Sequence, residues 1–243
     1  MLKKIALILT MFIAGAYIIF ALMFLTGKPQ DSSCKGIAVS IDDYAMDILT
    51  VEDIESLLRA KGLAINDRPI NDISCDKIER TIESSSLIEN CECFKSHREI
   101  VGINVKCKRP IMQVFDKEGR EFFIDDKGDI INGLPKALYL PVANGNIDRE
   151  MAKNELLQIA LFLDENRFWQ EQTEQIFFTS NKEALLVPRI GNHIVEIGRI
   201  ENLDEKFSKL RKFYDKGLNE IGWNKYSKIN IEFKNQVICT KRR

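Results

Sequence analysis

The chain has 243 residues, with 35 Lys and Arg against 36 Asp and Glu, which gives a formal net charge of −1. This balance provides no overall field that would attract nucleic acid or an anionic surface. Roughly 215 residues follow an apolar N-terminal segment. They are enough for one large domain or two small domains, each with its own core.

A single apolar run from Ile5 to Leu25 carries no charged residue. Its length matches the roughly 20 residues that a helix needs to cross a hydrocarbon core of about 30 Å. Lys3 and Lys4 precede the run, so the positive-inside rule places the N-terminus in the cytoplasm. A cleaved signal peptide is disfavoured because its apolar region usually spans only about 7–15 residues. We therefore predict a cytoplasmic tail over residues 1–4, a single transmembrane helix over 5–25 and a linker over 26–35.

The segment after the linker has the pattern strand, helix, helix, hairpin. Residues 36–41 alternate as a strand does, and Thr50 with Asp53 forms a capping box that opens a helix ending near Gly62. A second helix begins near Ser74. A hairpin follows, with strands over 90–95 and 100–107. This order predicts a small α+β domain over 36–110, with two helices on one sheet face and with exposed sheet edges that an extended segment could join.

Cysteine spacing in this hairpin allows two interpretations. Cys91, Cys93, His97 and Cys107 superficially resemble a zinc cluster, but their spacing fits none of the usual paired ligand patterns. On two strands joined by a turn, alternate cysteines simply share one face. A Cys91–Cys107 cross-strand disulfide is therefore favoured over metal, although the sequence does not fix the connectivity.

From Ile111 the chain becomes rich in short strands, which predicts a larger β domain over 111–243 with two helices. The acidic turn at 125–129 has ordinary turn residues and lacks the spacing of a calcium loop. Gly217 is expected to close the second helix, and Phe168 and Trp169 to anchor the core after the first. The predicted strands are 111–115, 121–124, 130–131, 175–179, 183–188, 193–200, 228–234 and 236–240, and the predicted helices are 149–166 and 203–218.

Catalytic patterns are missing from the sequence after the apolar run. Its two histidines, His97 and His193, have no Cys, Ser or Asp at the spacing of a triad or a metal site. Nucleophile-elbow, zinc-protease and phosphate-loop motifs do not occur there. The sequence therefore predicts a protein that is not an enzyme and that holds no cofactor or metal.

Four short patches, in this order along an anchored chain, resemble the bacterial cell-division family FtsQ, also called DivIB. The resemblance covers essentially the whole chain. The patches are Lys108-Arg109-Pro110-Ile111, the segment from Phe122 to Gly128, the segment from Leu186 to Gly191, and the closing segments 222–226 and 236–239.

This resemblance implies a non-enzymatic divisome scaffold whose first domain is a POTRA domain. It implies that the C-terminal strands pair with bitopic partners similar to FtsB and FtsL, in an assembly that regulates septal peptidoglycan synthesis by FtsW and FtsI. It further implies a single-pass protein of the inner membrane at the division septum, with the C-terminal domain in the periplasm. Carried onto this chain, the partner-binding residues are Tyr226, Ile229, Ile231, Phe233, Gln236, Val237, Ile238, Cys239 and Thr240.

Strand addition at this edge makes the effect of proline depend on which way an amide points. Proline at one of Val237 and Ile238 is expected to destabilise the domain, and at the other to remove partner binding. The hairpin register around Asn235 decides which is which. Two other classes stay open: an anchored ligand-binding sensor, which would need a deep apolar pocket, and another POTRA-type assembly factor, which would need several such domains and a barrel.

Overall fold

The computed structural model describes residues 12–21, 33–96 and 98–243. Residues 12–21 are helical, and none of the helices in these ranges combines the length and the apolar character needed to span a membrane. The rest of the predicted anchor, the cytoplasmic tail, most of the linker and His97 lie outside the described residues.

The first domain contains a three-stranded sheet in the order β1-β3-β2, in which β1 runs parallel to β3 and β2 antiparallel to it. Two helices cover one face of this sheet, and two 3₁₀ turns, Asp43–Ala45 and Ile70–Asp72, join the elements. The strands are β1 (Gly36–Ile41), β2 (Ile88–Lys95) and β3 (Ile100–Cys107), and the helices are α1 (Val51–Ala60) and α2 (Cys75–Glu83).

Local caps fix both helix starts. The Thr50 hydroxyl accepts from the Asp53 amide at 3.3 Å, and the Asp53 carboxylate accepts from the Thr50 amide at 2.9 Å, so the predicted capping box is confirmed. The Ser74 hydroxyl caps α2 by accepting from the Lys77 amide at 3.4 Å. Both caps satisfy amides that an open helix end leaves unpaired.

The second domain is a nine-stranded sheet in the order β12-β11-β10-β9-β8-β7-β4-β5-β6. Pairing is parallel at β4–β7, β7–β8 and β10–β11, and antiparallel elsewhere. The strands are β4 (Pro110–Phe115), β5 (Glu121–Asp125), β6 (Ile130–Ile131), β7 (Val142–Gly145), β8 (Thr173–Phe178), β9 (Ala184–Pro188), β10 (Ile194–Gly198), β11 (Tyr226–Asn230) and β12 (Ile238–Lys241).

Short helices pack on one face of this sheet around Phe178, Phe207 and Leu210, which are fully buried. Residues 149–166, predicted as one helix, form two, because the Asn154 backbone leaves the helical region at φ −115° and ψ −94°. The helices are α3 (Arg149–Lys153), α4 (Glu155–Glu165), α5 (Arg167–Gln172), α6 (Leu203–Phe213), a π-helical turn (Tyr214–Leu218) and α7 (Asn219–Ile221).

The prediction that Gly217 closes the last helix is wrong. Gly217 lies within the π-helical turn, and the helical run continues to Ile221. Gly222 follows with φ 94°, a conformation that favours glycine. Strand β7, with its Asn144 and Gly145, was not predicted either, since both residue types are rare in strands.

The core of the first domain includes side chains from the large sheet of the second. Only two residues separate β3 from β4, and Phe123 and Ile131 of the large sheet belong to the core of the first domain. Their neighbours Phe122 and Ile124 face the opposite way, into the core of the second domain. The large sheet is therefore covered by its own helices on one face and, at its β5–β6 end, by the first domain on the other.

Polar contacts surround this joint. The Arg109 guanidinium binds both carboxylate oxygens of Asp164, at 2.8 and 2.7 Å, and also contacts Asp126 at 3.2 Å. Lys108 lies 2.9 Å from Asp129, on the tight turn between β5 and β6. Bidentate Arg–carboxylate pairs fix geometry as well as charge, so Arg109 sets the direction in which the chain enters β4.

Candidate partner-binding edge

Strand β12 ends the nine-stranded sheet, and among the described residues no strand pairs with its outer side. Its antiparallel partner β11 is held in turn by parallel pairing with β10. An unpaired strand presents a row of N–H and C=O groups that can template another strand. This edge of the large sheet is therefore suited to strand addition.

The direction of each amide along β12 follows from one hydrogen bond. The Arg242 amide, just beyond the strand, donates to the Lys225 carbonyl at 3.0 Å. Because amides alternate in direction along a strand, those of Thr240 and Ile238 also point toward β11. The Cys239 amide consequently points to the open side, where a partner strand would need it.

The predicted binding residues fall into three groups. Ile229 and Ile231 are fully buried in the core. They could therefore help a partner bind only indirectly, by packing beneath the edge strand. Tyr226, Val237 and Cys239 are half-buried and pack on that core. Four residues are exposed: Gln236, Thr240, Phe233 at 47% and Ile238 at 48%. A contact role for these residues remains a prediction.

Helix α6 supports the loop that leads into β12. The Lys209 ammonium donates to the Ile231 carbonyl at 3.2 Å and also to the carbonyl of Phe233. A groove of about 550 Å³ runs beside this contact, lined by Lys212, Phe213, Val237 and neighbouring side chains. The groove adjoins β12, so a partner paired with that strand could extend into it.

The other end of β12 lies close to a buried histidine, His193. The Arg242 side chain donates to the Asn192 carbonyl, next to His193. His193 is only 2% exposed, its Nε2 lies 2.8 Å from the Tyr214 hydroxyl, and its Nδ1 has no hydrogen-bond partner among the described residues. Burial first, and the Arg242 charge second, lower the pKa of His193 to about 4.

Acid is therefore expected to destabilise the β domain through His193. An unfolded histidine takes up a proton near its ordinary pKa of 6.5, whereas the folded one does so only near pH 4, so stability is lost as the pH falls between these values. The full effect is about 3 kcal/mol in the free energy of unfolding. Urea denaturation at several pH values should show it, and His193→Asn should lack this part of the slope. Equal pH slopes in the two proteins would contradict the assignment.

In the first domain, the β2 edge is occupied by the domain's own helix. The Glu79 carboxylate accepts from the Cys93 amide at 2.7 Å, and the Glu83 carboxylate accepts from the Cys91 amide at 3.1 Å. These two outward amides are the donors that an added strand would require. The expectation that this domain exposes its sheet edges for binding therefore fails at β2.

All six cysteines are free thiols. The register places Cys91 opposite Val105 and Cys107 opposite Ile88, so the favoured Cys91–Cys107 pair is not directly cross-strand. Burial raises the pKa of both thiols, to about 12 for Cys91 and about 11 for Cys107. Neither cysteine is thus a reactive thiolate near neutral pH. No cluster of three or more potential metal ligands occurs within the described ranges.

Comparison with known families agrees with this architecture. Residues 32–106 match the POTRA-like domain family, and residues 109–240 match the family described as FtsQ/DivIB, C-terminal related. A POTRA-like domain followed by this β-rich domain defines a class of non-catalytic cell-division proteins that interact with other divisome proteins. The second match spans more than half of the sequence, and the chain belongs to the FtsQ/DivIB family. No curated protein matches it.

Sequence reasoning missed the groups that hold these edges in place. Lys209 lies on α6, far from β11 and β12 in the sequence, and Arg242 lies just beyond β12. No local sequence pattern identifies either residue as a contact of this region. Glu79 and Glu83 did carry a signal, because they follow Cys75 at intervals of four on a predicted helix and so share one face.

Proposed function

We propose that this protein is a membrane-anchored, extracytoplasmic scaffold of the divisome. Its β domain binds bitopic partners similar to FtsB and FtsL by strand addition at β12, and through them helps regulate septal peptidoglycan synthesis by FtsW and FtsI. The observation that carries the proposal is the unpaired β12 edge with the Cys239 amide directed outward. The family membership supplies the cellular context.

The choice of β12 over the β2 edge rests on which donors are free. Glu79 and Glu83 already bind the outward amides of β2, so a partner would have to displace two charge-assisted hydrogen bonds there. At β12 no such competitor exists among the described residues. The exposed Ile238 and Phe233 side chains add apolar contact area beside the open amides.

Anchoring in the inner membrane is part of the proposal. It rests on the uncharged run 5–25 and on Lys3 and Lys4 before it, which favour a cytoplasmic N-terminus and a periplasmic C-terminal domain. In that arrangement residues 26–35 link the anchor to the first domain. The scaffold would then meet single-pass partners whose own domains lie on the same side of the membrane.

Depletion of the full-length protein in its host bacterium tests this function. Cells without it are expected to grow into filaments lacking septa, because the partners are no longer assembled. A tagged wild-type copy should restore division, localise to the septum and co-purify with single-pass membrane proteins from detergent extracts. The control variant is Arg167→Ala, which removes an ion pair with Glu171 in which the arginine side chain is 89% exposed. This variant should restore division as well as the wild-type copy does. Normal division after depletion would contradict the proposal.

A further inference from the structure

Two cysteines of the first domain lie against each other across the α2–β2 interface. The side chain of Cys75, the first residue of α2, lies within interaction distance of the Cys93 side chain in β2, one helical turn before Glu79, which accepts from the Cys93 amide. Both are half-buried, whereas Cys34, Cys91 and Cys107 are buried. A soluble reagent can therefore approach this pair more readily than those three cysteines.

The helix holds Cys75 in a fixed register against the strand. Cys75, Glu79 and Glu83 follow one another at intervals of four residues and line one face of α2. Glu79 accepts from the backbone amide of Cys93 at 2.7 Å, and Glu83 accepts from that of Cys91 at 3.1 Å. Two backbone contacts in succession keep the helix from sliding along β2, and thus keep the two thiols together.

We propose that Cys75 and Cys93 are a redox pair that a disulfide-bearing oxidant converts into a disulfide clasping α2 onto β2. The geometry of the pair rests on the fold alone. The oxidising surroundings rest on the proposed function, which places this domain outside the cytoplasm, where disulfides form and persist.

Disulfide exchange supplies the chemistry. The Cys75 thiolate attacks one sulfur of the oxidant, forms a mixed disulfide and releases the first thiol of the oxidant. Cys93 then loses its proton and attacks the Cys75 sulfur, which closes the protein disulfide and releases the second thiol. Two protein thiols are oxidised and one oxidant disulfide is reduced. Burial raises the pKa of the Cys93 thiol, so this thiol keeps its proton near neutral pH until the second step.

This disulfide would keep α2 in place over the β2 edge. With α2 bonded to the strand, the Glu79 and Glu83 carboxylates could not leave the amides of Cys93 and Cys91. In the reduced protein the same helix is retained only by non-covalent contacts. The redox state would thereby set how easily β2 can accept an added strand.

Mass spectrometry of the full-length protein, purified in detergent and incubated with oxidised glutathione, tests the pair. Trypsin should place Cys75 in peptide 62–77 and both Cys91 and Cys93 in peptide 81–95. We expect these peptides to become cross-linked, with fragment ions that assign the bond to Cys93. Cys75→Ser and Cys93→Ser should each abolish the product, whereas Cys91→Ser and Cys239→Ser should retain it.

The thermal midpoint of the oxidised protein should also rise by about 5–10 °C over the reduced form, because the bond constrains the unfolded chain. A reduced-only protein, or a bond that forms between Cys91 and Cys107 instead, would overturn the inference. This experiment uses no cells, so its outcome is independent of where the domain resides. Alkylation of thiols in intact spheroplasts by a membrane-impermeant maleimide tests the location separately.

Discussion

Cys239→Pro is expected to leave the β domain folded and to weaken partner binding about tenfold or more, whereas Ile238→Pro is expected to destabilise the domain by about 2 kcal/mol. The Ile238 amide points toward β11, and proline there removes a ladder hydrogen bond. The Cys239 amide points outward, so proline there removes a donor that an added partner strand would need.

Thermal denaturation and co-purification of the single-pass partner from detergent extracts measure the two effects. Cys239→Ala is the matched control, because it removes the thiol and keeps the amide; it should both fold and bind. Val237 precedes β12 and shares the parity of Cys239, so of the two prolines considered from the sequence, the one at Ile238 is expected to destabilise the domain. If Cys239→Pro binds as well as Cys239→Ala, strand addition at β12 is not the binding mode.

The second large effect is expected at the joint between the domains. Arg109→Ala should lower the free energy of unfolding by about 2–3 kcal/mol, because it leaves a largely buried carboxylate without its charged partner. Asp164 is that carboxylate, with a side chain 15% exposed, and it accepts two hydrogen bonds from Arg109. Lysine keeps the charge but cannot bind both oxygens, so Arg109→Lys should recover only part of the loss.

Urea denaturation followed by tryptophan fluorescence measures these changes. Arg167→Ala serves as the control for loss of an arginine, since its pair with Glu171 is exposed and helical neighbours of this kind contribute little. We expect that variant to stay within about 0.5 kcal/mol of the wild-type protein. Equal losses for Arg109→Ala and Arg167→Ala would show that the joint does not depend on the bidentate pair.

Local signals in the sequence predicted much of the fold. The capping box at Thr50 and Asp53 lies within four residues, and the structure forms it as predicted. The β1 strand and the hairpin of the first domain follow from alternation, and the family resemblance is confirmed by the two family matches. These features depend on neighbours in the sequence, or on order along the whole chain, and both are readable without a structure.

What escaped prediction depends on contacts between distant residues. The break at Asn154 divides a continuous helical pattern, and the end of the last helix moves from Gly217 to Gly222. The candidate edge itself came from the resemblance, but its amide directions required the register of β11 against β12. The resemblance assigns Ile229 to that edge, whereas its side chain is buried in the core.

The shared core at the joint bears on the order in which the chain can fold. Phe123 and Ile131 fill the interior of the first domain, yet they are synthesised after all of its strands and helices. The first domain therefore completes its interior only when residues up to 131 have emerged from the ribosome. Until then that core lacks two of its buried side chains, so we expect the two domains to complete their packing together.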